Sequence, residues 1–133
     1  MNFPDTNIWI YGFLPDQDFR KHRIAKEITQ RDDVLVSQQV VAEVSNALIR
    51  KAKVPESRIR EIIADFEENF HPLVLETEHY LQASRLRERY NFSHWDSLLI
   101  TAALELGASI FYSEYMQDGL VVDGTLTIRN PFR

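Results

Sequence analysis

Four short apolar runs constrain the fold of this chain more than any other feature: Val34-Leu35-Val36, Leu73-Val74-Leu75, Ile110-Phe111-Tyr112 and Leu126-Thr127-Ile128. They are compact and bounded by polar residues, the pattern of strands buried on both faces rather than on one. Helical spacing fills the intervals. Residues 18 to 31 carry a polar, basic face. Gln38 to Lys51 sets Val40, Val41, Val44, Ala47 and Leu48 on one stripe behind a Ser37 N-cap. Pro55 opens a helix with Ile59, Ile62, Ile63 and Phe66 along it, and Thr77 caps another that runs to about Tyr90. Ser93 caps a last helix through Leu106, where Gly107 supplies the stop. Short strands alternating with helices predict parallel βαβ units, hence an α/β fold with a central, mostly parallel sheet. Asn2-Phe3-Pro4 is read as one further brief strand, although Pro4 cannot donate to a ladder. No repeat or linker interrupts the 133 residues, so residues 1–133 are expected to form a single domain with its own core.

In open parallel sheets polar chemistry gathers at the carboxyl ends of the strands. Asp5, Ser37 and Ser113-Glu114 each follow directly on a predicted strand. Two more acids stand on apolar helix faces. Glu43 lies three residues after Val40 and four before Ala47, and Asp96 lies three before Leu99 and seven before Ala103. A buried carboxylate is strongly disfavoured unless it is neutralised, paired or bound to metal. Two readings follow. Each acid escapes to water or meets an arginine, with Asp96 also favoured by the helix dipole just after Ser93. Alternatively Asp5, Glu43 and Asp96 converge on one oxygen-only cation site, which suits Mg²⁺ or Mn²⁺. The chain has no cysteine, so thiolate metal sites and disulfides are excluded.

The net charge of −5, from 15 Lys+Arg against 20 Asp+Glu, argues on its own against a nucleic-acid binder. Bound divalent ions would cancel much of a carboxylate cluster. The cations are also grouped, as Arg20, Lys21, Arg23 and Lys26, then Arg50, Lys51 and Lys53. The first residues lack a signal-peptide pattern, and no apolar run approaches the ~20 residues that span a bilayer. The expectation is a cytoplasmic protein with no membrane partner.

The four histidines show no metal-ligand spacing. Trp9 and Trp95 are candidates for stacking on bases, against the commoner role of core aromatics. An Asp at a strand end with Mg²⁺ also occurs in phosphoacceptor domains and aspartyl phosphotransferases. Those need a second Asp two residues on, or a paired acidic start with a late-strand lysine; here position 7 is Asn and neither alternative pattern is present.

Taken in order, Asp5-Thr6-Asn7, the segment Ser37-Gln38-Gln39-Val40-Val41-Ala42-Glu43 with Asn46 and Arg50-Lys51, His94-Trp95-Asp96-Ser97-Leu98-Leu99, and Ser113-Glu114 resemble the PIN domain. Within it they look most like VapC-type toxins of bacterial toxin–antitoxin pairs. The resemblance implies a three-layer α/β/α fold and Mg²⁺- or Mn²⁺-dependent endoribonuclease activity on an RNA substrate. It makes Asp5, Glu43 and Asp96 the catalytic and metal-binding acids, with Asn7 and Ser113 in support. It also implies a homodimer and a cognate antitoxin that covers the acidic site. The chain departs from the pattern at the fourth acidic position, where related sequences read Ser-Glu-Asp and this one reads Ser113-Glu114-Tyr115. Glu114 or Asp118 is left to supply that charge, with Asp118 preferred because it follows in the same loop.

Overall fold

The structure, a computed structural model, describes residues 1–133. Its elements run β1 (Asn2–Pro4), α1 (Thr6–Phe13), α2 (Phe19–Thr29), α3 (Gln38–Ala52), α4 (Glu56–Phe70), α5 (Thr77–Arg89), α6 (His94–Glu105), β2 (Ile110–Tyr112), β3 (Val121–Val122) and β4 (Leu126–Arg129). The sheet order is β1-β2-β4-β3. The first two pairings are parallel, and β3 returns antiparallel to β4. The α/β fold with a mostly parallel sheet is as expected.

Two expected strands are corrected. Val34-Leu35-Val36 and Leu73-Val74-Leu75 each join their neighbour through one parallel bridge only, Asn2 to Val34 and Ser37 to Leu73. The backbone bonds are sound where they occur: Leu35 N–H donates to Asn2 O at 2.8 Å and Leu73 N–H to Val36 O at 3.1 Å. They stop early for a local reason. In a parallel ladder the next donor on that edge of β1 would be residue 4, and Pro4 has no N–H to give. Ser37 then turns the chain straight into α3. Pro4 is therefore tolerated in β1, at the end of the four-stranded sheet, because the neighbouring row ends beside it.

Register sorts the sheet's faces. Phe3, Phe111 and Ile128 are successive partners and lie in the main apolar cluster with residues of α3, α4, α5 and α6. Phe3 and Phe111 stack with centroids 5.4 Å apart. Pro4, Tyr112 and Arg129 point the other way, and Tyr112 packs on a smaller cluster of Ile8, Ala25, Ile28 and Phe132. Helices thus cover both faces of the sheet. Fully burying side chains of this size contributes roughly 1.5–3 kcal/mol each, so the all-apolar row Phe3-Phe111-Ile128 through β1, β2 and β4 anchors the sheet.

The largest difference from the expected elements is α1. Ile8-Trp9-Ile10-Tyr11 lacks polar alternates, so its 3.6-residue period is invisible in sequence. In the structure Ile8 and Trp9 bury against different clusters. Trp9 is a core residue, edge-on to Phe66 and Phe70, whereas Trp95 stands 62% exposed. On α4, Ile59, Ile62 and Phe66 are buried while Ile63 faces out. No helix is long and apolar enough to cross a membrane.

Candidate functional site

The carboxyl end of β1 delivers Asp5 to the start of α1 as its N-cap. One carboxylate oxygen accepts from Thr6 N–H at 2.6 Å. The other accepts from Ser113 Oγ at 3.2 Å, which arrives on the turn after the adjacent strand β2. Parallel pairing of β1 with β2 is what brings these two strand ends side by side. Thr6 in turn donates its hydroxyl to Glu43 Oε1 at 2.5 Å. Glu43 Oε2 accepts from Gln39 Nε2 at 3.3 Å, and the same Gln39 amide reaches Trp95 O on α6 at 3.2 Å. A continuous polar chain therefore ties together the β2 turn, α1, α3 and α6.

Asp5, Glu43 and Asp96 all line one open cavity of about 450 Å³, together with Asn7 and Ser113. Asn46, Arg50 and Lys51 of α3 line it as well. The three acids are half-buried. None of them has a lysine, arginine or histidine nitrogen within 4.0 Å: every ion pair in the molecule uses other carboxylates. The arginine-paired reading of these acids is thereby removed.

The electrostatic cost falls on Asp5. Its carboxyl is raised from 3.8 to about 7, first by burial and then by the charges of Asp96 and Glu43, against the opposing hydrogen bonds from Thr6 and Ser113. Oxygen donors alone, excess negative charge and a proton held near neutrality make this a donor set that fits a hard divalent cation. As they stand, no three such side chains are gathered closely enough to enclose an ion unaided. Mg²⁺ commonly binds with one or two carboxylates and keeps several waters, so an open arrangement of this kind is compatible with it.

The two residues expected as a fourth ligand do not line the cavity. Glu114 points away, accepting from Tyr11 Oη at 2.8 Å and pairing with Lys21. Burial alone would raise its carboxyl, but the bonds from Lys21 and Tyr11 and the Lys21 charge more than offset this and hold it below the usual range. Asp118 accepts from the Asn130 backbone at 2.9 Å and faces Arg133 at 3.9 Å. Tyr115 lines the cavity in their stead.

Nothing in the sequence alone assigns a role to Thr6 or Gln39, yet they join Asp5 to Glu43 and Glu43 to α6. A signal for part of this was present: Gln39, Glu43, Asn46 and Arg50 follow a 4, 3, 4 spacing that puts them on one face of α3. The basic face of α2 proves partly structural, since Arg20 caps Phe132 O at 2.8 Å and Lys21 pairs with Glu114.

No curated protein matches the chain. Among models of protein families, that of the PIN domain matches residues 3–116.

Proposed function

The chain belongs to the PIN domain family, and from that premise we propose that it is a Mg²⁺- or Mn²⁺-dependent endoribonuclease, the toxin of a VapC-type toxin–antitoxin pair. PIN domains are generally metal-dependent nucleases. The observation that carries the reading is that three acids, none of them in an ion pair, line one cavity.

Asp5, Asp96 and Glu43 would hold the cation. When bound, such an ion polarises a phosphodiester and makes water a competent nucleophile at neutral pH. Glu43 is held from both oxygens by Thr6 and Gln39, which fixes its carboxylate plane toward the cavity. Ser113 and the Thr6 amide hold Asp5. Arg50 and Lys51 supply positive charge along α3 for the flanking phosphates of RNA. Water as nucleophile leaves a 5′-phosphate and a 3′-hydroxyl. End-group analysis of cleaved RNA tests this: a 2′,3′-cyclic phosphate sinks the mechanism.

As a toxin of this kind the protein acts in the cytoplasm, pairs with a second copy, and is silenced by an antitoxin segment that covers the acidic cavity. Co-expression with a candidate antitoxin, followed by cleavage assays on the purified complex, tests the last point. One observation favours a second reading. Tyr115 stands at the cavity where related sequences carry a fourth acid, and Glu114 and Asp118 are engaged elsewhere. A catalytically weakened module acting through protein or RNA partners would fit that loss. Such a module would bind RNA with no cleavage at any Mn²⁺ concentration.

A further inference from the structure

We propose that Glu114 is a positioning residue for the carboxylate cavity, a clamp that fixes the turn carrying Ser113 and through it the orientation of Asp5; this rests on the nuclease reading above. The side chain of Glu114 is only 11% exposed. A carboxylate so enclosed is retained only with full compensation, and it has that twice over, from Tyr11 Oη and from Lys21. Lys21 is itself confined. Its ammonium lies 5.2 Å from the Tyr11 ring centre and 5.4 Å from that of Phe132, and the two rings meet edge to face at 5.3 Å. The backbone of Glu114 is gripped as well, since Asn130 Nδ2 donates to its carbonyl at 3.3 Å.

On the other side of the same peptide stands Ser113, wholly buried. Its backbone N–H donates to Arg129 O at 2.9 Å. Its hydroxyl does two things at once, donating to Asp5 Oδ2 and accepting from Met116 N–H, each at 3.2 Å. A hydroxyl offers one proton, so the Met116 bond leaves that proton for Asp5. Displacing the turn would break this arrangement. The clamp thus links α1, α2 and the C-terminal residues to an Asp5 oxygen, although neither Glu114 nor Lys21 lines the cavity.

The test uses Glu114→Gln and Lys21→Met in the full chain, with Lys21→Arg as the conservative variant and Arg89→Ala as a control. Arg89 pairs with Asp123 at 3.0 Å, and neither residue lines the cavity. Three quantities are measured: amide hydrogen exchange at Met116 and Thr6 without metal, Mn²⁺ affinity, and kcat and KM on RNA. The expected result for the first two variants is faster exchange at both amides and Mn²⁺ binding about tenfold weaker, the size typical for removing an outer partner of a ligand. The loss in cleavage should appear in kcat more than in KM. Lys21→Arg should restore all three, and Arg89→Ala should change none of them. Glu114→Gln that melts earlier yet keeps wild-type exchange at Met116 and wild-type Mn²⁺ affinity overturns the proposal. If the unsubstituted protein binds no Mn²⁺, the nuclease reading fails, and the exchange measurement still decides the clamp. Should Glu114→Gln not fold, Phe132→Leu loosens the same clamp more gently and is read the same way.

Discussion

Two acidic regions meet at the turn after β2, where Ser113 contacts one and the next residue, Glu114, belongs to the other, and they have opposite fates. Around Asp5 three carboxylates line one cavity with no ion-pair partner within 4.0 Å, and the Asp5 proton is held up to about 7. Around Glu114 another half-buried acid has a lysine and a tyrosine, and its carboxyl falls below the usual range. Burial opposes ionisation in both places. What separates them is counter-charge, supplied by the protein in one region and left to a ligand in the other. A functional site is distinguished here by missing compensation rather than by the presence of acids.

The sharpest break in this comparison is Asp5→Asn. It should reduce RNA cleavage roughly a thousandfold or more, measured by single-turnover kinetics, while raising the metal-free melting temperature at pH 8. Removing a repelled charge relieves strain, so a loss of stability would show that Asp5 is compensated after all. The pH dependence of the metal-free protein is the next effect in size. In the fold Asp5 keeps its proton up to about 7, and unfolded it releases it near 3.8. The folded state therefore binds more protons between those values, and stability from this group is greatest below them and lost as pH rises through about 7. The contribution is at most about 4 kcal/mol. Thermal melts from pH 4 to 8 should show it, and Mn²⁺ should stabilise the protein more at pH 8 than at pH 5.

Smaller effects come from the edges of the cavity. Arg50→Ala should weaken RNA binding about tenfold at low salt and reduce the salt dependence by about one phosphate contact, as read by titrating labelled RNA across ionic strengths. Tyr115→Asp adds an uncompensated carboxylate to the cavity, which should tighten Mn²⁺ binding by about threefold to tenfold and slightly lower the metal-free melting temperature. Unchanged Mn²⁺ affinity in that variant would mean that position 115 does not reach the ion.

Much of this was legible in the residues themselves. Ser93 does cap α6 through the Asp96 amide at 3.1 Å. The helix faces that hold Glu43 and Asp96 follow from spacing alone, whereas their arrival on one cavity is only one of the two readings that spacing allows. Less legible was anything set by tertiary pairing. Pro4 reads as a strand breaker until the neighbouring row is seen to end beside it. The triplets at 34–36 and 73–75 have strand composition but only one bridge each. Glu114 looks as available as Asp5 in sequence, because the lysine that occupies it lies 93 positions away on α2. Long-range ion pairs leave no periodic trace, and they decide which acids stay free.

The most direct test of the account is calorimetric titration of Mn²⁺ into the metal-free protein and three variants. Saturable binding below millimolar concentration is expected in the unsubstituted chain, lost in Asp5→Asn and Asp96→Asn and retained in Asp118→Asn. Absence of binding in the unsubstituted chain, or its loss on Asp118→Asn with retention in Asp5→Asn, would contradict it.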